Sequence, residues 1–262
     1  MAATRSPAVV LSTRPLGEAD LLIVLMTPDL GKVRAAARNA RKSKRRFPGG
    51  LPGGALGEAT LVRRSETSLW RLDGFASIRD LSILGRDLTR FAYVAYVCEV
   101  TDVLVAEPEP DARRFAALAT AVQSLLDPEV SPEPGILRRY ELRLLDTLGL
   151  LPALDTCCAC GDAVDLSGVQ AEIAFDAQRG GALCPLHGAG ARRLPVEVLA
   201  LARALAEEDD EEAPRAALAV AQPGVRRGLR DLTAGLVRAQ LRRPLRSLEF
   251  FAQLLPSKSS GT

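Results

Sequence analysis

The residues most able to do chemistry in this 262-residue chain lie between Cys157 and His187, which hold four of its five cysteines and its only histidine. They read Cys157-x2-Cys160, twenty-three intervening residues, then Cys184-x2-His187. An x2 spacing lets two side chains on one tight turn face the same ion, and Zn²⁺ takes four tetrahedral sulfur or nitrogen donors. Gly161 after the first hook, and Gly180 and Gly181 before the second, suit tight reversals. The expected ligands are therefore Cys157, Cys160, Cys184 and His187, with Cys158 the alternative to Cys157. Four protein ligands close the coordination shell, so the ion stabilises folding and leaves no position for substrate. The competing reading is a set of small buried apolar cysteines.

A second cluster is cationic: Arg38, Arg41, Lys42, Lys44, Arg45 and Arg46 put six charges into nine residues, followed by Phe47 and the glycine-rich stretch 48–57. A positive loop that covers phosphates releases condensed counterions and gains affinity with little sequence preference. These six are the residues expected to contact nucleic acid, with Arg14, Lys32 and Arg34 as weaker members. The competing reading is a solvated basic loop. Phe47 is the candidate for base stacking, whereas Trp70 and Phe75 sit in strand-like runs and read as core.

The charge distribution agrees with a nucleic-acid face at one end. The net charge is +2, yet residues 1–80 carry fourteen Lys/Arg against seven Asp/Glu, and residues 81–262 carry twenty against twenty-five. Enzymatic chemistry has few candidates. There is no GxxxxGK[ST] and no GxSxG, and a metal-bound His187 leaves no histidine as a general base. The chain is expected not to be an enzyme, although pairs among its thirty-two acids are invisible at this level. No charged-then-apolar leader and no apolar run of about eighteen residues occurs, and the odd, clustered cysteines argue against a disulfide framework. The expected location is the cytoplasm.

The elements that must position these residues change type along the chain. Strand patterns run 8–13, 21–27, 32–37, 59–64 and 69–75, with a turn at Pro28–Gly31, and imply a small closed barrel. From Leu81 the period is helical: Leu84, Leu88, Phe91, Ala92, Ala95 and Val103, with Cys98 as core. Further helices are predicted over 111–126, capped by Asp111, over 134–148, ended by Gly149, over 194–206, over 224–239, and over 246–255 with Ser247 as its cap. The acidic run 207–212 reads as a linker, and 256–262 as a disordered tail.

In this order the parts resemble the RecO family of bacterial DNA repair proteins, recombination mediators of the RecFOR pathway. The resemblance rests on Gly17-Glu18-x-Asp20, Leu25-x-Thr27, Gly31 and the basic Ala40–Arg46. It continues through Tyr140–Leu145 with Gly149 and Pro152, Cys157-x2-Cys160-Gly161, Phe175, Gly180-Gly181, Cys184 and Arg243-Pro244-Leu245-x-Ser247. It implies an α+β protein with an N-terminal OB-fold barrel (1–81), a helical domain in two parts (82–154 and 191–255) and a zinc-finger-like insertion (155–190). It also implies binding of single- and double-stranded DNA, annealing of complementary strands, and action with RecR to load RecA onto DNA coated by single-stranded-DNA-binding protein. That protein's C-terminal tail would be a partner, with Arg138, Arg139 and Arg143 near Tyr140 as candidates by charge. One departure is His187, where zinc-bearing members that resemble this chain often have cysteine. The alternative function is a zinc-stabilised adaptor that works through protein contacts without touching DNA; a zinc-dependent hydrolase would need an open ligand position.

Overall fold

The computed structural model describes residues 3–65, 68–167, 171–207 and 212–254. The chain divides into two compact units, one formed by residues 1–136 with 241–262, the other by 137–240.

The first unit is built on a closed five-stranded barrel, β1 (Ala3–Leu16), β2 (Asp20–Thr27), β3 (Gly31–Ala37), β4 (Leu56–Val62) and β5 (Trp70–Ser77), in the order β1-β2-β3-β5-β4. The fourteen-residue β1 lets the sheet close. Its first half pairs with β4 (Val9↔Leu56) and its second half with β2 (Arg14↔Leu22), with a register shift between Val10 and Ser12 bending it between them. β3 and β5 complete the ring through a short parallel pairing at Ala35↔Trp70. This is the OB-like arrangement.

Alternation decides what fills it. On β3, Val33, Ala35 and Ala37 point inward beside Ala8, Val10, Ile23, Leu25, Leu61, Leu72 and Phe75, and small alanines suit so narrow a ring. Each buried Leu or Phe contributes roughly 1.5–3 kcal/mol over its exposed state. Phe47 corrects an expectation. It is 2% exposed and belongs to this core, with Leu51 and Ala55 from the same connection, so it is no stacking platform.

A 3₁₀ turn (Ser82–Gly85) leads to α1 (Leu88–Leu104) and α2 (Ala112–Leu126). Asp87 and Asp111 cap them, each carboxylate accepting two backbone N–H groups of the first turn. The buried Arg90 donates to the carbonyls of Leu125, Asp127 and Val130 at 2.7–3.0 Å, satisfying acceptors that the end of α2 would leave orphaned. Cys98 is core as expected; it packs near the Val10 carbonyl, and burial pushes its thiol up to about 12. The chain returns to this unit with α7 (Arg246–Leu254), whose Phe250 and Phe251 rings meet Phe91, Tyr93 and Tyr96 of α1. Its first turn is capped from outside: Glu99 accepts the N–H groups of Arg246 and Ser247 and the Ser247 hydroxyl, so Ser247 is not itself the cap.

The second unit takes in most of α3 (Pro134–Thr147), then the cysteine segment, α4 (Val196–Glu207), α5 (Glu212–Val220) and α6 (Pro223–Gln240). Gly228 of α6 lets that helix approach α4, since a Cβ there would lie 2.8 Å from a Val198 methyl. Two departures from expectation fall in this helical part. A strand, β8 (Arg192–Pro195), replaces the predicted first turn of α4, and α5 occupies a stretch read as a break at Pro214; proline in a first helical turn forfeits no hydrogen bond. Most of the expected acidic linker and the whole 256–262 tail lie outside the described residues.

Candidate metal centre and nucleic-acid surface

The cysteine segment folds around a three-stranded sheet, β7-β6-β8, with β6 (Glu172–Asp176) paired to β7 (Gly181–Leu183) and to β8. The first hook is a tight turn. The Cys157 N–H donates to the Asp162 carbonyl at 2.7 Å, the Gly161 N–H to the Cys157 carbonyl at 2.8 Å, and Gly161 takes φ 81°, where a side chain would be strained. The second hook repeats the form, with the N–H groups of His187 and Gly188 both donating to the Cys184 carbonyl. Gly188 lies on Ala174 of β6, where a Cβ would approach to 2.5 Å, and this contact draws the second hook over the sheet.

The donors converge. The Sγ atoms of Cys157, Cys160 and Cys184 and a ring nitrogen of His187 all lie within 4.8 Å of one another, with Cys184 Sγ to His187 Nδ1 at 3.2 Å, Cys157 Sγ to His187 Nδ1 at 3.8 Å and Cys160 Sγ to Cys184 Sγ at 3.9 Å. Metal–donor bonds of ~2.0–2.3 Å at tetrahedral angles put ligand atoms about 3.3–3.8 Å apart, so the set fits one tetrahedral ion. Cys157, not Cys158, is in the group; Cys158 packs beside it against Ala174, Leu183 and Cys184. The thiols respond to one another. The backbone N–H of Cys184, helped by those of Ala159 and Cys160, holds the Cys157 thiol down at about 6, despite partial desolvation. At Cys160 the Asp162 N–H pulls downward, but desolvation and the side chains of Cys157, Asp162 and Cys184 push the thiol up to about 12. Without a cation one thiol of such a group keeps its proton; a divalent ion draws all three as thiolates. Four protein donors fill the tetrahedron, so the centre can staple the two hooks and offers no position for substrate.

The basic segment 38–46 closes one end of the barrel. It is tied by its backbone: the Asn39 N–H donates to the Asp20 carboxylate, the Arg41 N–H to the Ala19 carbonyl, and the Phe75 N–H to the Arg46 carbonyl. Asn39, at φ 54°, starts the turn. With Phe47 plugged into the core beneath, the cations are raised on a fixed platform. Arg38, Arg41, Lys42, Lys44 and Arg45 are exposed, and Arg41 also reaches the Glu18 carbonyl at 3.1 Å. Arg46 differs: it donates to the Arg38 carbonyl and the Ser43 hydroxyl and lies over the Phe47 ring, so it organises the segment.

The three weaker candidates separate. Arg14 is exposed, across Leu22 from Ala36. Arg34 is exposed but pairs with Glu107 at 2.7 Å. Lys32 corrects an expectation: it is 6% exposed, and its ammonium donates to the Asp102 carbonyl at 2.7 Å with the Asp102 carboxylate at 3.5 Å. Arg71, opposite Ala36 on β5 and paired with Asp73, extends the cationic outer face and went unread because it stands outside any charge run. In the second unit, Arg138 donates to Thr233 and faces Glu141 at 2.9 Å, while Arg143 donates to the Ala206 carbonyl. Both are engaged within the fold, and Tyr140 is buried.

Comparison with known proteins gives the family. Residues 1–79 match the family described as Recombination protein O N terminal, and residues 85–249 match Recombination protein O C terminal. The chain belongs to the RecO family. Among its relatives, the DNA repair protein RecO of Anaeromyxobacter sp. (strain K) is 37% identical over 229 residues, covering 87% of this chain and 88% of the relative. RecO of Myxococcus xanthus (strain DK1622) is 34% identical over 250 residues, covering 94% and 96%, and RecO of Symbiobacterium thermophilum is 35% identical over 214 residues, covering 80% and 82%. The family places the chain in DNA repair. No described helix is long and apolar enough to cross a membrane.

Proposed function

We propose that this protein is a recombination mediator that binds single- and double-stranded DNA through the basic platform of its barrel and anneals complementary strands. The observation that carries the reading is the exposure of Arg38, Arg41, Lys42, Lys44 and Arg45 on a segment whose backbone and Phe47 are fixed to the barrel. Two strands repel through their phosphates. A cationic platform lowers that repulsion and leaves the base edges free, so Watson–Crick pairing does the selecting. No covalent bond changes, and no enzyme chemistry is required.

On this reading the protein acts in the cytoplasm, gathering at the nucleoid when bound to DNA, and works with RecR to place RecA on strands covered by single-stranded-DNA-binding protein, whose tail it engages. The Cys157, Cys160, Cys184, His187 centre holds one structural zinc ion. The deciding experiment is annealing and binding of complementary strands across a salt series, for the intact protein and for Arg41/Lys42/Lys44/Arg45→Ala; Arg46 is kept because it shapes the segment. The variant is expected to lose annealing and to flatten the salt dependence by ~0.7 per lost contact on single strands. An intact protein that neither binds nor anneals at low salt would overturn the reading in favour of an adaptor acting through protein contacts.

A further inference from the structure

The outward row of β3 runs Lys32, Arg34, Ala36 and, just past the strand, Arg38, and its cations differ in how far the protein has already engaged them. Lys32 is buried on Asp102, Arg34 is exposed but paired with Glu107, and Arg38 is exposed beside the basic platform. The gradient has a source. Residues 105–110, which join α1 to α2, form an acidic strap against the β2–β3 end of the barrel. Gly31, at φ 66°, has the strap so close that a Cβ would lie 2.5 Å from the Glu109 backbone.

The strap is held at both ends and stiffened within. Before it, Asp102 takes the Lys32 ammonium and the Ser12 hydroxyl. After it, the buried Arg114 reaches the Glu109 carbonyl at 3.4 Å, the Glu109 carboxylate at 3.3 Å and the Asp111 carboxylate at 3.9 Å. Pro108 and Pro110 remove backbone freedom between these points. Glu107 is therefore delivered to Arg34 by a rigid segment. An ion pair this exposed adds little stability, about 0–1 kcal/mol, so holding the barrel together does not require it. It does place a carboxylate where a phosphate would bind Arg34.

We propose that Glu107 is a built-in competitor for nucleic-acid phosphate at Arg34, so that the strap sets where the DNA footprint ends on the barrel. The proposal rests on the DNA-binding reading above. Covering the Arg34 end confines bound strands to the Arg14, Arg38 and Arg41–Arg45 side, and keeps affinity low enough for strands to be released after pairing.

The test is anisotropy of a labelled thymidine oligomer of about 20 nucleotides, longer than one barrel's footprint, titrated with the full chain across a salt series. The variants are Glu107→Gln, Glu129→Gln, and Arg34→Ala/Glu107→Gln. Glu107→Gln is expected to bind roughly three- to tenfold tighter near ~100 mM salt, with a slope steeper by ~0.7, the signature of one added phosphate contact. Glu129→Gln removes the same charge from an exposed position in the α2–α3 connection and is expected to leave the slope unchanged. The double variant is expected to return to the wild-type slope. A Glu107→Gln protein indistinguishable from Glu129→Gln, or a gain that survives loss of Arg34, would overturn the proposal. Failure of the wild type to bind at all defeats the DNA reading, and this proposal with it, before the variants are compared.

Discussion

At the scale of the residue, the metal centre makes the sharpest demand. Its geometry needs four donors, and either nitrogen or sulfur serves at the fourth position. His187→Cys is thus expected to keep one zinc per chain, whereas Cys184→Ala removes a central donor, 3.2 Å from His187 and 3.9 Å from Cys160, and is expected to lose it. The measurement is zinc released to a chromogenic chelator from each purified variant, with the melting temperature recorded beside it. A structural ion predicts that Cys184→Ala, and the wild type after chelation, both melt lower. Unchanged melting in both would show that the hooks hold without metal. Only the spacing of this set was legible in the sequence. The x2 spacing favours Cys157, since Cys158 would leave a single residue before Cys160, and the fold makes the same choice through the bond from Cys157 N–H to the Asp162 carbonyl, with Cys158 packing aside.

At the scale of the element, α7 meets α1 through the Glu99 carboxylate and a small aromatic cluster. Glu99 accepts three hydrogen bonds from its first turn, where the helix dipole also favours negative charge. Partial burial pushes the Glu99 carboxyl up, but the Ser247 N–H and hydroxyl, the Arg246 N–H and the Arg243 charge together hold it below its ordinary 4.5. A depressed folded pKa stabilises above the unfolded value and loses that stability as pH falls through the folded one. Glu99→Gln is expected to cost about 1–2 kcal/mol at pH 7, the worth of charged hydrogen bonds at a cap. It should also remove the part of the wild type's acid sensitivity that sets in below about pH 4.5. Urea denaturation at pH 7 and in acid, followed by near-ultraviolet dichroism of Tyr93 and Tyr96, checks both. Equal losses in acid for wild type and variant would assign the sensitivity elsewhere. None of this was readable beforehand, because a cap supplied from 147 positions away leaves no local pattern. The barrel strands were legible as short apolar runs, with a turn at Pro28–Gly31 between β2 and β3; β8 was not, because helical periodicity runs through Leu194 into α4.

At the scale of the whole molecule, the units do not respect the sequence boundary suggested by composition. The change from strand to helical period near Leu81 separates two patterns, yet the first compact unit continues to residue 136 and regains 241–262. The physical reason is visible at three places where the barrel leans on α1 and the strap. Lys32 is neutralised by Asp102, Gly54 leaves room for Val94, where a Cβ would come within 2.2 Å of a methyl, and the strap covers Gly31. A fragment of residues 1–81 keeps every barrel strand but would leave Lys32 without its acceptors and expose the apolar wall under α1. Each large apolar side chain that loses its cover forfeits roughly 1.5–3 kcal/mol, and a domain of this size has only about 5–15 kcal/mol to lose. The fragment is therefore expected to unfold at much lower urea than the intact chain, if it folds at all. Trp70, the only tryptophan, sits on β5 and reports on the barrel in both proteins. Coincident Trp70 transitions would make the barrel self-sufficient and α1 and the strap mere neighbours. A large shift makes them part of its folding unit, which is also why an acidic strap can stay at the edge of the cationic face without being displaced.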